Sequence, residues 1–313
     1  MIVQYRNKAY RLPDFLIVGA AKSGTTSLHT YLKEHPSVFM PEDKEPYFFS
    51  FWKETPDFQS PDHLNGVITD IEEYSSLFSE CKDEQIIGDA SPSYLYTYEE
   101  SIENIKEIYG DKFKDLKIII ILREPIARAW SQYMHFKKFD NEPLHAKDAF
   151  NKELIRKRMD LNWNIFYDYI GFSSYSKGVH SYLNSFPKVR VYLFDQLKDD
   201  SESLLKNILR FLEVSDNITA ISIDKKHNIS GSPKNRFGEA IWKLMFQKNP
   251  IKSLASKVMP KKIKKQVFSY VSPKILAKET IPDDIKENLK NVFTEDINKL
   301  EKEIDQDLSK WKS

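Results

Sequence analysis

FLIVGAAKSGTTSL, Phe15 to Leu28, decides the fold. Phe15–Gly19 is an unbroken apolar run of strand length, as expected of a parallel strand covered on both faces. Ala20–Gly24 is a glycine-containing loop. Thr25–Glu34 reads as a helix that His35-Pro36 ends, because proline disfavours helix in its predecessor. A strand, a glycine turn and a helix in that order suit an anion. The backbone N–H groups of the turn converge on a helix start whose dipole adds positive partial charge. Gly19 and Gly24 permit positive φ and close backbone approach. Lys22 adds a full charge, and the hydroxyls of Thr25, Thr26 and Ser27 add donors. The plain alternative is a strand–turn–helix corner with an ordinary surface lysine.

Outward from this stretch, the pattern repeats. Gln85–Ala90, Lys117–Leu122 (KIIIIL) and Val189–Phe194 read as strands. Glu99–Tyr109, Ile126–Lys138 (opened by Pro125) and Ser201–Leu212 read as helices. Alternation of this kind predicts an α/β fold, a central parallel sheet flanked by helices and joined by right-handed crossovers. Residues 40–80 read as irregular. Ile281–Trp311 places Ile285, Leu289, Phe293, Ile297 and Leu300 on one helical stripe. The predicted organisation is one domain over 1–313, with a core over 13–215 and a C-terminal helical extension over 236–313.

Composition excludes several classes. The chain has 313 residues, 47 Lys+Arg against 46 Asp+Glu. That balance argues against an electrostatically driven nucleic-acid binder. Cys81 is the only cysteine, so an internal disulfide and a multi-thiolate zinc site are both impossible. The seven histidines are scattered, and no metal motif is present. The start, MIVQYRNKAYRLPDF, breaks its apolar character too early for a secretory signal, and the apolar runs are too short to span a bilayer. The expectation is a cytoplasmic protein. The basic run Lys257, Lys261, Lys262, Lys264 and Lys265 suits either a solvated helix face or a peripheral contact with an anionic membrane.

GAAKSGTT almost matches the nucleoside-triphosphatase loop G-x-x-x-x-G-K-[ST], but Thr25 stands where that loop needs lysine, and the lysine lies at 22. A second anion site is suggested by REPIARAWSQY. Arg123 ends a buried strand, where open α/β sheets bind ligands, and Ser131 lies in the helix that follows.

PxFLIVGAAKSGTTSLHTYL and R-x-P-x-x-R-x-x-S-x-Y resemble the sulfotransferases that use 3′-phosphoadenosine 5′-phosphosulfate (PAPS), especially the carbohydrate, heparan-sulfate-like and bacterial branch. The resemblance implies a P-loop-like three-layer fold. It implies that Lys22, Ser23, Gly24, Thr25, Thr26 and Ser27 hold the 5′-phosphosulfate, and that Arg123 and Ser131 hold the 3′-phosphate. Within PEDKEPYFFSFW, Glu45 matches the family's base, and an apolar setting there would raise a carboxylate's pKa. The loop before the C-terminal helices, with Ser230, Gly231, Lys234 and Arg236, resembles one that closes over the nucleotide. Two departures stand out: Tyr47 replaces a histidine and Ala90 a lysine. The implied reaction is in-line sulfuryl transfer to a hydroxyl or amine of a small-molecule or carbohydrate acceptor, with no metal required. The competing readings are a kinase or NTPase using ATP–Mg, with Asp89 as the magnesium-holding acid, and a non-catalytic nucleotide-binding protein.

Overall fold

The computed structural model describes residues 1–62, 64–223 and 280–312, and the backbone pairing of Ser232–Pro233 with Leu276–Ala277. The strands are β1 (Ile2–Tyr5), β2 (Lys8–Arg11), β3 (Phe15–Gly19), β4 (Val38–Phe39), β5 (Ile86–Ala90), β6 (Lys117–Leu122) and β7 (Val189–Leu193). The helices are α1 (Thr25–Lys33), α2 (Phe48–Phe51), α3 (Ile71–Ser76), α4 (Tyr98–Tyr109), α5 (Pro125–Lys138), α6 (Ala146–Ala149), α7 (Lys152–Asp160), α8 (Ser176–Ser185), α9 (Phe194–Asp199), α10 (Ser201–Phe211) and α11 (Asp283–Ile304).

Five strands form one parallel sheet in the order β4-β5-β3-β6-β7. All five residues of β3 are buried, as are the last five of β6, so both central strands are covered on each face. Because side chains alternate along a strand, these two strands feed two cores. Leu16, Val18, Ile118 and Ile120 join the apolar faces of α4, α5, α8 and α11. Phe15, Ile17, Ile119 and Ile121 join those of α1 and α10. The result is the three-layer α/β fold predicted from sequence.

The structure adds elements that the sequence reading lacked. β1 and β2 form an antiparallel hairpin through Arg6 and Asn7, whose φ values of 47° and 66° give the left-handed turn that suits strand twist. Residues 40–80, read as irregular, contain α2 and α3, and Asp70 caps α3 by accepting from the N–H groups of Glu72 and Glu73. In α11 the predicted stripe is buried: Ile285, Leu289, Phe293, Ile297 and Leu300.

Candidate active site

The chain crosses from one half of the sheet to the other at β3. The crevice at the carboxyl end of such a strand is where open α/β sheets take ligands. The loop after β3 carries Lys22, the segment after β6 carries Arg123, and the segment after β5 carries Ser91.

Lys22 and Gly24 have left-handed φ values of 65° and 94°, as residues of anion-binding turns often do. A Cβ at residue 24 would come within 2.6 Å of Leu197 and 3.1 Å of Phe194, so this position needs glycine for space as well as for φ. Gly24 is the N-cap of α1, with no side-chain cap and no acidic residue in the first turn. The N–H groups of Thr25, Thr26 and Ser27 therefore lack intrahelical acceptors. Ser23 is fully buried, and its hydroxyl has no hydrogen-bond partner among the described residues.

Burial pushes the Lys22 ammonium down to about 8. Glu45 is the charge that opposes this, while Arg128, Lys138 and Arg123 add to it. Arg123 Nη1 donates to the Lys22 carbonyl at 3.2 Å, and its guanidinium lies 5.1 Å from the Phe194 ring centre. Burial lowers its pKa as well, but an arginine keeps its charge. Arg123 and Lys22, one from each predicted anion site, are thus in contact. Glu124 and Pro125 start α5 directly after Arg123. The Glu124 carboxylate accepts from the N–H groups of Ile126 (2.9 Å) and Ala127 (2.6 Å), and Pro125 needs no acceptor. Ser131 lies further along α5, half-buried.

Glu45 is set differently from the expectation. Its Oε1 pairs with the Lys44 ammonium and its Oε2 accepts from the Tyr47 hydroxyl at 2.8 Å, so the setting is polar rather than apolar. Glu42, in the same segment, is solvated, with its side chain 88% exposed against 29% for Glu45. The Tyr47 N–H points to Ser91 Oγ (3.4 Å), and Ser91 donates to Asp89 (3.1 Å). Sequence reading missed the Tyr47 and Lys44 contacts; the only available signal was their nearness to Glu45 in KEPY.

Arg128 is fully buried and donates to Ser173 Oγ and the Tyr169 carbonyl (2.9 Å), and among the described residues its Nη1 has no hydrogen-bond partner. Burial pulls it to about 10. Ser91 and Tyr94 belong to a buried network. Both are buried and, with Tyr74, donate to the fully buried Asp89, which burial raises to about 6. An acid enclosed by three hydroxyl donors is poorly placed to hold magnesium, which weakens the kinase reading. Phe48 and Phe49 are core residues, with Phe48 stacked on Tyr74 at 4.1 Å. Ser230, Gly231, Lys234, Arg236 and the basic run 257–265 lie outside the described residues.

Residues 12–301 match the family described as the sulfotransferase domain. The chain belongs to that family. Among curated sulfotransferases, the membrane-associated sulfotransferase kil1 of Dictyostelium discoideum is 31% identical over 137 residues, covering 43% of this chain and 25% of that protein. The human heparan sulfate glucosamine 3-O-sulfotransferase 3B1 is 28% identical over 213 residues, covering 67% and 48%. The chain thus matches a quarter and about half of these two proteins. A solved sulfotransferase from Alicyclobacillus acidocaldarius superposes with a TM-score of 0.71 at 27% identity, covering 97% of this chain and all of that one. Among the described residues no helix is long and apolar enough to cross a membrane.

Proposed function

We propose that the protein transfers a sulfuryl group from PAPS to a hydroxyl or amine of a carbohydrate or glycolipid acceptor. The observation that carries this reading is the contact between Arg123 and Lys22, two cations from the ends of neighbouring strands, beside the uncapped start of α1. PAPS carries anions at both ends, and this frame suits both. Lys22 and the N–H groups of Thr25, Thr26 and Ser27 take the 5′-phosphosulfate, with Ser23 and Gly24 shaping the loop. Arg123 and Ser131 take the 3′-phosphate. The free amides, the buried ammonium and the orphaned Ser23 hydroxyl fit such a ligand.

The acceptor oxygen or nitrogen attacks sulfur in line, and the bond from sulfur to the bridging phosphate oxygen breaks. Glu45 takes the acceptor proton. Lys22 and the loop amides offset the charge that builds on the leaving phosphate, so positioning and fixed electrostatics supply most of the rate. The carbohydrate acceptor is supported by the heparan sulfate enzymes among the relatives.

Calorimetric titration with 3′-phosphoadenosine 5′-phosphate (PAP), against ADP and ATP–Mg, tests the donor. Tight PAP binding with weak ATP binding supports the proposal, and preference for ATP–Mg overturns it. Labelled PAPS with a panel of glycans then tests the acceptor.

A further inference from the structure

Asp296 lies on α11, and its carboxylate accepts from the N–H groups of Tyr175 (2.7 Å) and Ser176 (3.1 Å) and from the Ser176 hydroxyl. It caps α8, which has no side-chain cap of its own, from a position 120 residues beyond Ser176. A carboxylate there satisfies orphan N–H groups and complements the helix dipole. The other end of Tyr175 reaches the site. Its buried ring carries a hydroxyl that donates to the Arg123 carbonyl at 2.9 Å, and Arg123 Nη1 in turn donates to the Lys22 carbonyl at 3.2 Å.

Asp296, Tyr175, Arg123 and Lys22 therefore form one continuous chain of hydrogen bonds running from α11 to the loop after β3. Tyr175 is fixed at its backbone by Asp296 and grips Arg123 with its side chain. A tyrosine has only two side-chain torsions, so a shift of its backbone is passed to the carbonyl it holds. That carbonyl carbon is bonded to the Arg123 Cα, from which the side chain departs.

We infer that Asp296 and Tyr175 are positioning residues, which set the Arg123 and Lys22 backbones in register for the donor. The inference rests on the proposed donor-binding role of Lys22 and Arg123. Misplacement of reacting groups by about 1 Å can cost about 10²-fold, so loss of one bond in this chain should be visible without unfolding the protein.

The test compares wild-type protein with Tyr175→Phe, Asp296→Asn and Lys299→Ala. The last removes an exposed ion pair with Glu295 on the same helix and serves as control. Amide hydrogen exchange is measured on the ligand-free proteins, PAP affinity by calorimetry, and thermal stability separately. Tyr175→Phe and Asp296→Asn should speed exchange over residues 20–28 and 123–127 and weaken PAP binding by about 10-fold. Lys299→Ala should do neither. The double variant should lose no more than the worse single one, because both act on one chain. Unchanged exchange over 20–28 in Tyr175→Phe, whatever its melting temperature, overturns the inference. If Asp296→Asn fails to fold, Tyr175→Phe, which removes one oxygen, still decides. A wild-type protein that does not bind PAP overturns the donor reading instead, while the exchange comparison still decides the coupling.

Discussion

The Tyr47 hydroxyl donates to Glu45 Oε2 across 2.8 Å, and both residues hold positive φ, 55° for Tyr47 and 65° for Glu45. Two non-glycine residues in the left-handed region within one turn cost conformational energy, which the surrounding contacts must offset. The turn holds the Glu45 carboxylate with both oxygens already engaged, one by Lys44 and one by Tyr47, and its charge acts on Lys22.

Removal of the Tyr47 hydroxyl should therefore act on turnover. Tyr47→Phe is expected to lower kcat by about 10-fold with the KM for PAPS unchanged, and Glu45→Gln by about 10²–10⁴-fold. Steady-state kinetics at saturating acceptor separate the two parameters. An equal rise in donor KM for Tyr47→Phe would mean that the tyrosine supports the donor loop instead.

Lys22 predicts a pH dependence of donor binding. Its ammonium, ordinarily near 10.5, is pushed to about 8 by burial. A bound anion favours the charged form, so PAP binding should take up a proton near and above pH 8, and affinity should fall as pH rises through about 8. The stability sign is opposite. Between about 8 and 10.5 the unfolded chain binds more protons at this group than the folded one, so the group's contribution to stability rises with pH. Burial also brings Lys138 to about 8. Titrations in buffers of different ionisation enthalpy should show proton uptake in wild type and in Lys138→Met but not in Lys22→Ala. Persistence of the uptake in Lys22→Ala would assign it to another group.

Arg123→Ala should weaken PAP binding by about 10–150-fold, the loss expected for a charge-assisted hydrogen bond worth about 1.5–3 kcal/mol. Binding of adenosine 5′-phosphosulfate, which lacks the 3′-phosphate, should weaken less, by no more than the roughly 10-fold expected from loosening the Lys22 loop. Equal weakening of both ligands would remove Arg123 from the 3′-phosphate site.

Away from the site, Glu142 and Arg158 form a buried bidentate pair at 2.8 Å for each bond, with Tyr169 donating to the same carboxylate at 2.7 Å. Arg158→Met strands the carboxylate and should cost about 3–5 kcal/mol, read as a shifted denaturation midpoint in urea. A loss below 1 kcal/mol would show that the site rearranges to readmit water.

The sheet was legible because Phe15–Gly19 and KIIIIL have the unbroken apolar pattern of doubly covered strands, and α11 because its stripe holds from Ile285 to Leu300, about four turns. The anion loop was legible because glycine, lysine and hydroxyl residues cluster between a strand and a helix. Short elements were not: α2 and α3 span four and six residues, too few for a helical period to show. The polar environment of Glu45 was hidden because it depends on a left-handed turn, which residue type does not announce. The link from Tyr175 to Arg123 and Asp296 was invisible for another reason: it joins residues 52 and 121 positions apart.

The place of α11 in the molecule has a consequence for how the protein is made. Phe293, Ile297 and Leu300 belong to the same core as Ile118 and as Leu16, which lies nearly the whole chain earlier. During synthesis, β3 and its loop emerge long before the helix that seals their layer. From the time α5 and α8 are made until α11 follows, their apolar flanks lack this cover, and partly made chains expose the kind of surface that chaperones bind and that aggregates. Slowing translation near codon 280 should prolong that exposure, whereas slowing it near codon 20 should not.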